Sequence, residues 1–212
     1  RSERIGGRVD TNKGKVINSV NYADIKVTNK RLGQSNTRVA IKLGGIVGSN
    51  NEDSTKTEIT NVINYGRIEG ISDDMIYIGG IAAENETGIP KIQNAYNKGE
   101  VIGSAIEDGL RIGGIVGYSK STIYRVYNTG KVTANSVTIY IGGVIGKLHT
   151  DLQVSNSKYL SSTAEGGAEG KDVEGIEKVN SLTTQEIKNL LNEGVRELNE
   201  ITNELIEWES VK

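Results

Sequence analysis

Gly-Gly pairs begin at Gly6, Gly44, Gly79, Gly113 and Gly142, and no other feature restricts the fold as much. Successive spacings are 38, 35, 34 and 29 residues, so the period shrinks but persists. A period in this range marks stacked repeats, in which each unit buries its apolar face only against its neighbours. A second anchor keeps step with the first at Asn21, Asn64, Asn97 and Asn128. Five residues before these stand Val16, Ile59, Ile92 and Ile123; four residues after them stand Ile25, Ile68, Val101 and Val132. Two residues after the asparagines come Ala23, Gly66, Gly99 and Gly130. The stretch Ile112 to Gly146 holds one full copy and the opening of the next. The copy that starts at Gly142 is degenerate: Leu152 fits the first anchor, while Ser157 and Tyr159 stand where Asn and Gly are expected.

Each copy is a set of short segments rich in Ile, Val, Tyr and Thr, broken by glycine and polar bends, which is strand chemistry. Strands this short need neighbours on both sides. Stacking equivalent strands about 4.8 Å apart supplies them and predicts a parallel β-helix (β-solenoid) of about five coils. The polar insert from Ser49 to Lys56 reads as a protruding loop. In-register stacking turns Asn21, Asn64, Asn97 and Asn128 into an amide ladder, each side chain donating to one neighbour and accepting from the other. It also stacks Asp24, Arg67, Glu100 and Lys131 into a column of alternating charge, and Lys42, Tyr77, Arg111 and Tyr140 into one of alternating cation and aromatic ring. The asparagines and the charge column have holding roles within the fold, and the cation–aromatic column reads equally as a solvated edge.

The run Ile112-Gly-Gly-Ile-Val-Gly-Tyr118, followed by Ile123 and Tyr127-Asn-Thr-Gly-Lys-Val132, resembles the GLUG motif. That motif recurs in tandem in bacterial surface and secreted proteins, including metallopeptidases that cleave immunoglobulin A and adhesin-like proteins. The resemblance covers roughly residues 1 to 165, and the tail from Ser181 to Gly194 is similar to the segment that often follows such repeats. It implies an extracellular or bacterial cell-surface location and a general role. It carries no reaction.

Composition narrows the classes further. Apolar residues make up 35%, Phe and Cys are absent and Gly totals 27, which suits a thin continuous core. The net charge of −2 gives no basic stripe for nucleic acid. No run of apolar residues is long enough for a membrane span. The start at Arg1-Ser2-Glu3 suggests a piece of something longer, monomeric as a fragment.

Residues 1–165 are expected to form the solenoid, 166–180 a linker, since the stretch from Ser161 to Gly175 is rich in Ser, Gly, Glu and Ala, and 181–212 a helical cap on the last coil. Thr183-Thr-Gln-Glu186 fits a capping box. Ile187, Leu190, Leu191, Val195, Leu198, Ile201 and Leu205 then recur at helical spacing, an amphipathic α-helix, with Gly194 interrupting it as a kink or a break between two helices.

Catalytic chemistry is scarce. His149 is the one histidine, so an H-E-x-x-H zinc site, which needs two, is excluded, and a Ser-His-Asp triad would have to use His149 with no G-x-S-x-G elbow present. Glu52, Asp53, Asp73, Asp74, Glu84 and Glu86 could serve a polysaccharide-cleaving β-helix or bind calcium, although no calcium-loop motif is present. No cofactor is implied. The expectation is a non-catalytic repeat module acting as stalk, spacer or adhesive binding face. If it binds, Tyr118, Tyr124 and Tyr140, with the loops at Ser49–Lys56 and Ser72–Tyr77, would meet a host glycoprotein or glycan. The alternatives are an accessory substrate-binding domain of an immunoglobulin A-type metallopeptidase and a carbohydrate-active β-helix.

Overall fold

A computed structural model describes residues 2–30, 39–51, 57–86, 91–106, 109–149 and 152–212. Of the Ser49–Lys56 loop, residues 52–56 lie outside the described residues, taking Glu52 and Asp53 with them.

The first coil comprises β1 (Ser2–Gly6), β2 (Val9–Asn12), β3 (Lys15–Asn21) and β4 (Ile25–Asn29). The second comprises β5 (Ala40–Gly44), β6 (Val47–Asn50), β7 (Glu58–Asn64) and β8 (Ile68–Ser72). The third has β9 (Ile76–Gly79), β10 (Ala82–Asn85), β11 (Lys91–Asn97) and β12 (Val101–Ala105). The fourth has β13 (Leu110–Gly113), β14 (Val116–Ser119), β15 (Ile123–Asn128) and β16 (Val132–Ser136). The fifth runs through β17 (Ile139–Gly142), β18 (Ile145–Leu148), β19 (Val154–Ser155) and β20 (Ser157–Leu160), and β21 (Ile176–Val179) and α1 (Thr184–Asn199) follow.

Equivalent strands pair in parallel and build four sheets. The first is β1-β5-β9-β13-β17, the second β2-β6-β10-β14-β18 and the fourth β4-β8-β12-β16; the third begins at β3 and continues through β7, β11, β15 and β20 to β21. The chain is therefore a parallel β-helix with a C-terminal helix, 53% strand and 8% helix among the described residues.

The repeat dictates the register. Gly6, Gly44, Gly79, Gly113 and Gly142 stack on one another, as do Asn21, Asn64, Asn97 and Asn128. The second glycine of each pair faces the asparagine column from across the interior. At Gly80 an added Cβ would sit 2.3 Å from both Asn97 Cγ and the Gly114 carbonyl oxygen, so only glycine lets the two walls meet there. That closure divides the interior into two apolar cores. One lies between the second and third sheets around Ile46, Ile59, Ile81, Ile92 and Ile115. The other lies between the first and fourth around Leu43, Ile68, Ile78, Val101 and Ile112.

The last copies depart from the sequence expectation in three ways. Ile123 pairs with Val154, not with Leu152, and Asn128 pairs with Tyr159. The fifth copy therefore keeps the five-residue spacing, shifted by two, with Tyr159 in the asparagine position. The Tyr159 ring is fully buried and fills the space under Gly143, where an added Cβ would lie 2.3 Å from Cδ2.

The linker expected over 166–180 is instead a partial sixth tier. Gly166 and Gly167 form a further glycine pair whose carbonyls accept from the Gly143 and Val144 amides at 2.8 and 3.0 Å, and β21 pairs in register with β20. These residues close the end of the solenoid, the role expected of the helix.

The helix lies along the side of the third sheet, against β11 and β15. Its outer-face partners there are apolar: Ile63, Tyr96 and Tyr127 pack with Ile187, Leu191 and Val211 in a third core. The capping box is present, Thr183 Oγ1 accepting from the Glu186 amide and the Glu186 carboxylate from the Thr183 amide. The helix ends at Asn199, so Ile201 leaves the apolar stripe and stands 87% exposed.

Candidate functional site

Three ladders, not one, hold the coils together. In the first, Asn21, Asn64 and Asn97 each donate Nδ2 to the next Oδ1, at 2.8, 2.8 and 2.9 Å, ending at Asn128. Each also donates within its own bend, Asn64 to the Gly66 carbonyl at 2.8 Å. The second runs from Asn12 to Asn50 to Asn85, with 2.9 Å rungs, and closes on Ser119 Oγ at 3.2 Å. Its signal was available, since all four follow the second glycine of a pair by five residues.

The third ladder, Asn18, Asn61 and Asn94, stands on the outer face of the third sheet. Its members have φ of 49°, 56° and 49°, and Arg125 and Asn156 continue the column at 51°. Asparagine tolerates this left-handed conformation better than most residues, and N-x-x-N in three successive copies is its sequence trace.

This outer ladder is where the C-terminal segment docks. Asn18 Nδ2 donates to the Glu204 carbonyl at 3.0 Å, Asn61 Nδ2 to that of Ile206 at 2.9 Å and Asn94 Nδ2 to that of Leu191 at 2.9 Å. The Trp208 indole donates to Asn61 Oδ1 at 2.6 Å. Residues 200–212 thus run back from the helix toward the first coil, where Lys15 meets Glu204 at 2.5 Å. Gly194 is explained by the same contact: the helix is continuous, and a Cβ there would lie 2.2 Å from Asn94 Oδ1.

The charge column is exposed and in register. Asp24 accepts from the Arg67 backbone amide at 2.8 Å, and Arg67 approaches Glu100 at 3.9 Å. The stronger ion pairs of that face belong to the neighbouring column, Lys26 with Glu69 at 2.8 Å. Lys131 stands in register, its carbonyl accepting from the Val101 amide at 2.9 Å.

The outer faces of the first and second sheets meet in a crease. Lys42, Tyr77, Arg111 and Tyr140 from the first sheet face Ser49, Glu84, Tyr118 and Lys147 from the second. Arg111 lies 4.5 Å from the Tyr77 ring centre and 4.3 Å from that of Tyr118, Lys120 lies 5.1 Å from Tyr118, and Lys147 lies 4.1 Å from Tyr140. Lys42 pairs with Glu84, and Lys120 with Glu86 at 3.0 Å. Burial pushes the Glu84 carboxyl above the usual carboxylate range. Glu86 is opposed by burial, but hydrogen bonding to Glu84 and Lys120 holds it below that range.

The nominated tyrosines do not share a surface. Tyr118 and Tyr140 belong to the crease, whereas Tyr124 lies on the third sheet, where its hydroxyl donates to Glu197 of the helix. Arg125 bonds the same carboxylate at 2.6 Å. The described acids suggested for catalysis or calcium split between two places, Asp73 and Asp74 at one bend and Glu84 and Glu86 in the crease. Asp74 is buried and accepts from the Val39 amide at 3.3 Å, which ties the starts of two successive coils, and Glu84 and Glu86 are paired with lysines.

Two hollows flank the last coil. One of about 840 Å³ beside His149 is lined by Leu152, Val154, Glu169 and Glu174. The other, of about 520 Å³, is lined by Arg125, Tyr127, Lys158 and Glu177; there Lys158 is paired with Glu177. Among the described residues no group of three or more His, Cys, Asp or Glu is placed to hold a metal, and no helix is long and apolar enough to cross a membrane. No family model, curated protein or solved structure matches the chain, so the reading of its role rests on the geometry above.

Proposed function

We propose that the chain is a non-catalytic repeat module of a bacterial cell-surface or secreted protein, working as a stalk or spacer. The observation that carries this reading is that the polar side chains of the ladders and of the crease are engaged with one another across coils. Three amide ladders run along the coils, and the crease is filled by its own cations, carboxylates and rings. Groups already paired this way gain little by exchanging their partners for a ligand. The location follows from the resemblance to GLUG repeats.

The test is binding of the chain to immobilised host glycoproteins, immunoglobulin A and mucin included, alongside incubation with pectins and host glycans. A spacer gives no saturable binding and releases no sugar. Saturable binding lost in a Tyr118→Ala/Tyr140→Ala variant would replace the spacer with an adhesive face on the crease. Release of reducing or unsaturated sugar would replace it with a carbohydrate-active enzyme.

A further inference from the structure

The two ends of the solenoid differ. At one end, residues 161–179 cover the last strands: Val132, Gly143 and Ile145 donate backbone N–H groups to Thr163, Gly166 and Gly167. At the other, β1, β2, β3 and β4 each terminate their sheet, so four strand edges lie side by side. The apolar columns that are sealed in the second coil come to the surface there. Leu43, Val47 and Ile68 are fully buried, whereas their register partners Ile5, Val9 and Ile25 are half-buried. Among the described residues these edges have no further strand partner, and edges over apolar side chains make a template for another strand layer.

The inner ladders say which layer fits. Both point their Nδ2 donors away from this end, Asn12 toward Asn50 and Asn21 toward Asn64. Among the described residues, Asn12 Oδ1 accepts only from the Gly14 amide at 3.0 Å, and Asn21 Oδ1 only from that of Ala23 at 3.2 Å. Every later asparagine of these ladders accepts from the coil before it. A second copy docked head to head would point its own ladder donors away from this face and bring none to either oxygen. A coil of the same polarity would bring an amide donor to each.

We propose that the face formed by β1 to β4 is a docking surface for one further coil of this same repeat, stacked in the same direction with asparagines over Asn12 and Asn21. The proposal stands on the fold and is independent of the spacer reading.

The test fuses a copy of residues 76–109 directly ahead of Glu3, which keeps the register and places the copied Asn85 and Asn97 over Asn12 and Asn21. A second fusion uses residues 41–75, which keeps the same register and places the copied Asn50 and Asn64 there, so that failure of one donor coil to fold does not decide the matter. Hydrogen exchange at the amides of β1, β2 and β3 is compared with that of the unfused chain. Docking slows exchange at least about tenfold in one or both fusions. Changing the copied asparagines to Asp removes the donors and abolishes most of that slowing. No slowing in either fusion, equal slowing with the Asp versions, or a head-to-head dimer of the unfused chain at micromolar concentration would each overturn the proposal.

Discussion

Replacing Asn97 by Ala removes the centre of the inner ladder. Its side chain is fully buried. Nδ2 donates to Asn128 Oδ1 at 2.9 Å and to the Gly99 carbonyl at 2.8 Å, and Oδ1 accepts from Asn64 Nδ2 at 2.8 Å. Three bonds at about 1 kcal/mol each, with some penalty for the gap left under Gly80, give a loss of about 3–4 kcal/mol. Asn21 is the control. It makes one rung where Asn97 makes two, its other bonds being to the Ala23 carbonyl and from the Ala23 amide within its own bend, so Asn21→Ala should cost about 1 kcal/mol less than Asn97→Ala.

Asn97→Asp sharpens the test because it keeps the shape and the acceptor but loses both donors. A carboxyl there has its folded pKa raised by burial. The variant is therefore closest to the parent below the unfolded carboxylate value and loses stability as pH rises through the folded one. Urea unfolding followed by far-ultraviolet circular dichroism measures all three. A loss below about 1 kcal/mol for Asn97→Ala, or equal losses for Asn97 and Asn21, would refute the claim that the ladder holds the coils together.

Further outcomes follow from the docked C-terminal segment. Gly194→Ala would gain about 1 kcal/mol of helix propensity at an open site; here its Cβ collides with Asn94, so thermal unfolding should move down. Trp208 is the only tryptophan and sits on Asn61, so its emission should shift to the red at lower urea than the loss of β-sheet signal; coincident transitions would mean that segment and solenoid unfold together. The Tyr124 hydroxyl, then the Arg125 guanidinium, holds the Glu197 carboxyl below the usual range. Its contribution is thus present above the ordinary carboxylate pKa and is lost as pH falls through the lowered one. Acid should loosen the helix in the parent, and Glu197→Gln should flatten that dependence in a helix-specific probe.

The coil stack was legible because it is written as spacing. A glycine pair and an asparagine at matched intervals can be satisfied together only by parallel register. What escaped was written more sparsely. Asn18, Asn61 and Asn94 repeat as clearly as the inner asparagines, but nothing in a side-chain pattern announces a positive φ in mid-strand. The shift that places Tyr159 in the asparagine position is hidden because Ser157 preserves the expected spacing from Leu152. Residues 166–180 look like a linker by composition, although Gly166-Gly167 carries the repeat's own mark. The helix looked like an end cap because its stripe says only that one face is buried. The partner face, Ile63, Tyr96 and Tyr127, alternates outward along strands whose inward residues are equally apolar.

The central claim is that successive coils stack in parallel and in register, and a chain without cysteine allows a direct measurement. Ser104 and Asn135 are register partners on β12 and β16, within the Cα separation a disulfide accepts. Thr133 lies two residues out of register on the same strand. Under mild oxidation, Ser104→Cys/Asn135→Cys should cross-link nearly completely within the monomer while Ser104→Cys/Thr133→Cys stays reduced. Cross-linking of the offset pair in preference to the matched one would contradict the stacked register, and with it the ladders and the architecture built on them.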